Sequence, residues 1–168
     1  MKIVLQRVKE ARVDVDGRTV GRIGKGICLL VGVEKGDTSA DAAFLARKAV
    51  ELRIFPDAEG KMNLGLAEAG GEVLAVSQFT LAASVRKGRR PSFDGAADPG
   101  PAAALFDEFV RLIRDAGFKV ETGVFQAAMD VHIVNDGPVT FVLDSRPGEA
   151  ASGTSGRSFS GGPLRPSA

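Results

Sequence analysis

The chain has 168 residues, enough for one domain with a real core and too few for two comfortable ones. Hydrophobic residues make up 44% and charged residues 26%, and no apolar run approaches the ~20 residues that a bilayer-spanning helix needs. The net charge of +1 gives no global reason to expect nucleic-acid binding, so any affinity for RNA must come from a local patch.

The chain opens on Met1-Lys2-Ile3-Val4-Leu5-Gln6-Arg7-Val8, where Gln6 and Arg7 stand in the place of a secretory signal's apolar region and no small-residue cleavage site follows. A cytoplasmic location is the expectation. Residues 2–8, 10–15, 18–23 and 26–34 are short, rich in Val and Ile, and separated by turn residues such as Asp16-Gly17, which predicts an antiparallel β-meander. The Gly-rich run at residues 21–26 sits between two strands and not at a helix start, so it reads as a hairpin turn and not as a nucleotide-binding loop. The single Cys28 lies in an apolar run and reads as a buried small hydrophobe. With only one His, His132, the chain offers no Cys/His cluster at zinc-ligand spacing, and no metal or other cofactor is expected.

From Thr38 the period changes. Thr38 and Asp41 resemble a capping box, and Leu45, Ala49 and Leu52 recur at helical spacing, predicting an amphipathic helix that ends before Pro56. Residues 71–81, "GEVLAVSQFTL", predict a buried strand whose end carries Ser77, Gln78, Phe79 and Thr80. Hydroxyls, an amide and exposed N–H groups could converge there on a substrate carbonyl, although from spacing alone local backbone satisfaction is the better-supported reading. "VRKGRRPSF" at residues 85–93 gathers Arg86, Lys87, Arg89 and Arg90 around a glycine; such a loop is usually just solvated, but beside a site it could hold phosphates. Residues 98–117 predict a second helix, capped by Asp98 and stopped by Gly117.

Two further strands are expected near 118–125 and 129–145. Within the second, "HIVNDGPVTFVLDS" sets two apolar runs around a turn signal that contains Pro138, so it reads as a hairpin or a sharply broken strand. After Ser145 the composition shifts to Gly, Ser and Pro, predicting one domain over residues 1–145 and a disordered tail over 146–168. The fold class is therefore α/β, mixed and largely antiparallel, with two helices packed on one face. A Ser-His-Asp or Cys-His hydrolase is disfavoured, because His132 alternates with Val131 and Ile133 in an apparent strand, and no GxSxG elbow or P-loop is present.

Four stretches, "RIFPDAEGKMN" (53–63), "VSQFTLAA" (76–83), "KGRRPSF" (87–93) and "VNDGPVTF" (134–141), resemble in order and spacing the D-aminoacyl-tRNA deacylase family, over about residues 1–145. The resemblance implies a barrel-like homodimer in β/β/α layers that hydrolyses the ester of D-aminoacyl-tRNA and removes glycine mischarged on tRNA-Ala. It implies a catalytic pocket at Ser77, Gln78, Phe79 and Thr80, with Thr80 the candidate nucleophile of an older, protein-based view. It implies a cis Gly137-Pro138 pair that acts across the dimer as a chiral filter, with catalysis assisted by the 2′-hydroxyl of the terminal ribose. Met129 and Asn135 are implied in substrate binding, although core filling is the default role for a methionine, and Arg86, Lys87, Arg89 and Arg90 in RNA binding. Neither DNA nor membrane is an expected partner. A catalytically silent tRNA- or protein-binding module on the same fold is the alternative.

Overall fold

The computed structural model describes residues 1–86 and 88–146. Lys87 and the stretch from 147 onward, which holds nearly all of the expected tail, lie outside the described residues. The strands are β1 (Lys2–Val15), β2 (Arg18–Ile23), β3 (Gly26–Gly32), β4 (Phe55–Pro56), β5 (Met62–Leu64), β6 (Glu72–Ser77), β7 (Val120–Thr122) and β8 (Asp130–Asp144). The helices are α1 (Ser39–Glu51) and α2 (Pro99–Asp115), and a short 3-10 helix spans Phe79–Ala82. No helix among the described residues is long and apolar enough to cross a membrane.

The strands expected at 2–8 and 10–15 are one. Lys9 and Glu10, which break the apolar pattern, are exposed where β1 bends past bulges in its pairing with β8. One edge of β1 carries both β2 and β3 in a single antiparallel register, since Ala11 pairs Ile23 and Val8 pairs Gly26. β2 and β3 thus lie end to end, and a meander is replaced by one long hairpin turning at Asp16-Gly17, both in left-handed backbone. The other edge of β1 pairs β8 from Lys2 to Asp144 at one end and from Asp14 to Asp130 at the other. β6 joins β3 and β7 joins β6, both parallel. The sheet then curls until its ends meet, and a methyl on Gly21 of β2 would stand 2.5 Å from the Thr122 carbonyl oxygen of β7.

Because successive strand residues point to opposite faces, β3 and β6 serve two cores. Ile27, Leu29, Val31, Val73 and Ala75 face the helices, while Cys28, Leu74 and Val76 fill the barrel with Val8, Ala11, Val13 and Ile23. Each helix presents a stripe at i, i+3, i+4 and i+7: Ala42, Leu45, Ala46 and Ala49 on α1, Phe106, Phe109, Val110 and Ile113 on α2. Burying one of the larger side chains in these stripes contributes about 1.5–3 kcal/mol. The Asp41 carboxylate accepts from both the backbone N–H and the hydroxyl of Thr38, each at 2.8 Å, which closes the α1 capping box. Asp98 holds the N-cap position of α2, yet its side chain makes no capping bond. The result is the mixed, barrel-like β/β/α architecture expected from the sequence, with both helices on one face.

Candidate active site

β6 runs buried from Val73 to Val76 and ends at Ser77, paired with Val31 of β3. The strand expected to continue to residue 81 stops here. The Gln78 N–H donates to the Val31 carbonyl at 2.8 Å, and the chain then winds into the Phe79–Ala82 turn. Gly32 admits that turn, because a Cβ there would meet the Leu81 Cβ at 2.8 Å and the Gln78 carbonyl oxygen at 3.0 Å. As the first residues of a 3-10 turn, Phe79 and Thr80 have N–H groups with no partner inside it.

A cavity of about 540 Å³ opens beside this turn, within the range of small-molecule sites. Ser77, Gln78 and Phe79 form one wall, Val33, Ala96, Ala97 and the start of α2 another, and Phe125, Gln126 and Met129 the third. Among the described residues its polar side chains are Ser77, Gln78 and Gln126, and none that lines it is acidic, basic or a thiol. Met129 lines the cavity and also packs against the barrel core. Gly123 makes room for it, since a Cβ at that position would stand 2.5 Å from the Met129 sulfur. Thr80 is exposed beside the cavity without lining it, and its hydroxyl accepts from the Gln78 amide nitrogen at 2.5 Å.

Residues 132–145 form neither a hairpin nor a broken strand: β8 runs through as one strand with a bulge, because β1 pairs it on both sides of Pro138. Asn135 pairs Val8 and Thr140 pairs Gln6, so Asp136 to Val139 bow out opposite Arg7. The Gly137–Pro138 bond is cis, and Gly137 sits at φ 123°, backbone open to glycine. Arg7 fastens the bulge. Nearly buried, it donates from Nη1 to the Ile54 carbonyl at 2.5 Å and from Nε to the Asp136 carbonyl at 3.1 Å, with the Asp136 carboxylate also 3.1 Å from Nε. Gly137, Pro138 and Asn135 are exposed and do not line the cavity of their own chain.

Sequence reasoning missed Arg7, Gly32, Phe125 and Gln126. A lone Arg in an apolar strand and a Gly at a strand end were the available signals for the first two. Phe125 and Gln126 carried none, although Gln126 takes left-handed backbone at φ 64°. Arg86, Arg89 and Arg90 are exposed, and Arg90 lines a second, open groove. His132 lies apart, its Nε2 3.1 Å from an Asp14 carboxylate that the Thr19 hydroxyl and Arg12 hold below the usual carboxylate range. Burial pushes the Cys28 thiol up to about 12, which keeps it inert. Among the described residues no group of three or more His, Cys, Asp or Glu could hold a metal ion.

A sequence profile described as D-Tyr-tRNA(Tyr) deacylase matches residues 4–144. A D-aminoacyl-tRNA deacylase of Geobacter sulfurreducens is 63% identical over 146 residues, 87% of this chain and 96% of that protein. One of Bacillus velezensis is 55% identical over 146 residues, 87% of this chain and 99% of that protein. A solved structure of a c-Myc DNA unwinding element binding protein superposes with a TM-score of 0.83 at 39% identity, over 88% of this chain and 100% of that one. A probable eukaryotic D-amino acid tRNA deacylase shares the fold at a TM-score of 0.71 and 20% identity, over 84% of this chain and 97% of that one.

Proposed function

The chain belongs to the D-Tyr-tRNA(Tyr) deacylase family and is a D-aminoacyl-tRNA deacylase, a hydrolase of ester bonds, and from that premise we propose how its parts divide the work. The cavity receives the aminoacyl end of the tRNA. The N–H groups of Phe79 and Thr80 take the ester carbonyl oxygen as charge develops on it, and Ser77 and Gln78 orient the acyl group. Water adds to the carbonyl carbon, the bond to the ribose oxygen breaks, and free D-amino acid and tRNA leave.

The observation that carries this reading is the lining itself: donors and apolar surface, with no side chain among the described residues able to take a proton near neutral pH. An aminoacyl ester is already activated, so positioning and backbone donors suffice if the substrate brings its own proton acceptor. The 2′-hydroxyl next to the ester is that group.

Handedness is sensed by main chain. The Gly137–Pro138 pair stands exposed, clamped by Arg7, outside the cavity of its own chain. In a homodimer it enters the partner's cavity and walls off the side of the α-carbon where an L side chain would point. The exposed Val134, Phe141 and Val142 of β8 are apolar surface that such a dimer would cover. Discrimination of about 10⁴ needs roughly 5.5 kcal/mol between transition states, which a clash with stiff backbone supplies and loose contacts with varied D side chains do not. Glycine has nothing to clash, so glycyl-tRNA mischarged on tRNA-Ala is accepted. Proofreading of this kind belongs in the cytoplasm, where charged tRNA is used.

Incubating the purified protein with D-Tyr-tRNA and L-Tyr-tRNA tests the reading. Loss of the D ester alone is expected. Equal loss of both would remove the filter. Loss of neither would leave the binding-module alternative, to which the name of the 39% identical DNA-element binding protein gives a motive.

A further inference from the structure

Beside the cavity runs a second, open groove of about 630 Å³, and the two share Ala96, Ala97 and Pro99 as a common wall. The ridge between them is aromatic. Phe79 on the cavity side is 57% exposed and Phe93 on the groove side 40%, their rings tilted with centroids 5.1 Å apart. The groove also presents Lys35 and Arg90, which are cations, and Asp98, whose carboxylate makes no capping bond to the helix it precedes. Asp94 is there too, occupied by the Ser92 hydroxyl at 2.7 Å. Lys35 is held by its backbone from both sides, its N–H donating to Gly95 at 2.9 Å and its carbonyl accepting from Arg146 at 2.7 Å.

Single-stranded RNA is recognised by aromatic faces that stack bases, cations that meet phosphates and carboxylates that accept from the exocyclic amine of cytosine. All three stand in one groove, continuous with a cavity that takes the last nucleotide. The two nucleotides that precede the terminal adenosine of tRNA are unpaired cytidines. We propose that this groove receives them: Phe93 stacks on a base, Lys35 and Arg90 meet phosphates, and Asp98 accepts from a cytosine amine. The balance of two cations against two carboxylates fits bases read at close range better than it fits a long phosphate track. The inference rests on the deacylase reading of the adjoining cavity.

The test compares D-tyrosyl esters of adenosine, of the trinucleotide CCA and of UUA, and full D-Tyr-tRNA. With the native protein, the CCA ester is expected to show a KM about ten-fold below that of the adenosine ester. Lys35→Glu is expected to raise KM for the CCA ester and the tRNA about ten-fold more than for the adenosine ester. Asp98→Asn is expected to narrow the preference for CCA over UUA. Equal KM values for adenosine and CCA esters, or a Lys35→Glu effect of equal size on every substrate, would overturn the groove. Should the native protein cleave none of them, the deacylase reading falls by itself. Titration with an amide-linked D-tyrosyl-CCA then decides the groove separately: weaker binding by Lys35→Glu supports it, unchanged binding refutes it.

Discussion

The turn Ser77–Thr80 and the bulge Asp136–Val139 make an instructive pair. The first lines a cavity through Ser77, Gln78 and Phe79, brings no charge to it, and offers backbone donors at the end of a strand fixed by parallel pairing. The second lies outside that cavity in its own chain, and a nearly buried arginine ties its Asp136 carbonyl and carboxylate to the Ile54 carbonyl. A site for an activated ester needs few reactive groups, whereas a filter for handedness needs stiffness. On the proposed reading, the charged side chain of Arg7 holds main chain and takes no part in the chemistry.

The comparison can be broken or sharpened by experiment. The largest effect is expected from the substrate: D-Tyr-tRNA ending in 2′-deoxyadenosine should react at least about 100-fold more slowly in single turnover. Undiminished rates would return the chemistry to the protein. Next, Arg7→Ala should destabilise the fold by about 1.5–3 kcal/mol in urea unfolding, as hydrogen bonds to a charged group are lost. It should also narrow the D/L rate ratio more than it lowers the D rate, and Arg7→Lys should restore little, since a point charge cannot span both carbonyls. A bulge that keeps full selectivity without Arg7 would refute the clamp. Gly32→Ala should do the reverse, lowering kcat on the D ester through displacement of the Gln78–Leu81 turn and leaving the D/L ratio intact. Thr80→Ala and Ser77→Ala should each slow single-turnover deacylation by less than about ten-fold; a loss of several orders with folding and tRNA binding intact would identify a protein nucleophile.

The smallest effect separates stability from both regions. Asp41 is held down to about 2, first by the Ser145 hydroxyl and then by the Thr38 backbone N–H. Its folded value lies below its unfolded one, so its stabilisation is present above about pH 4 and is lost as pH falls through 2. Asp41→Asn should flatten that acid limb in a pH series of thermal melts, with the D/L ratio at neutral pH untouched.

Much of this was legible beforehand, for reasons that differ by element. The helices were readable because Leu45 and Ala49 on α1, like Phe106 and Ile113 on α2, face one core at helical spacing. The Ser77–Thr80 stretch and the Gly137-Pro138 pair were readable through motif resemblance, since a short contiguous stretch holds each. β1 was divided in two because exposed Lys9 and Glu10 mimic a turn, although a strand can bend there when its partner is bulged. The far walls of the cavity were opaque, since Val33, Ala96 and Gln126 come from three separate segments and no local pattern announces that they meet. Arg7 was opaque for a related reason, its two carbonyl partners lying 47 and 129 positions away.

The pairing of β1 sets an order on how the molecule comes into being. Its one edge is satisfied by β2 and β3 within the first 32 residues, a local arm that can zip as soon as it leaves the ribosome. Its opposite edge waits for β8, about a hundred residues later. A nascent or truncated polypeptide lacking that last strand would carry a long, bare ribbon edge inviting aggregation, and it would also lack the Gly137-Pro138 pair to which the proposed function assigns the choice of enantiomer. On the proposed reading, fidelity is acquired only with the final strand, by the same event that makes the polypeptide safe to release.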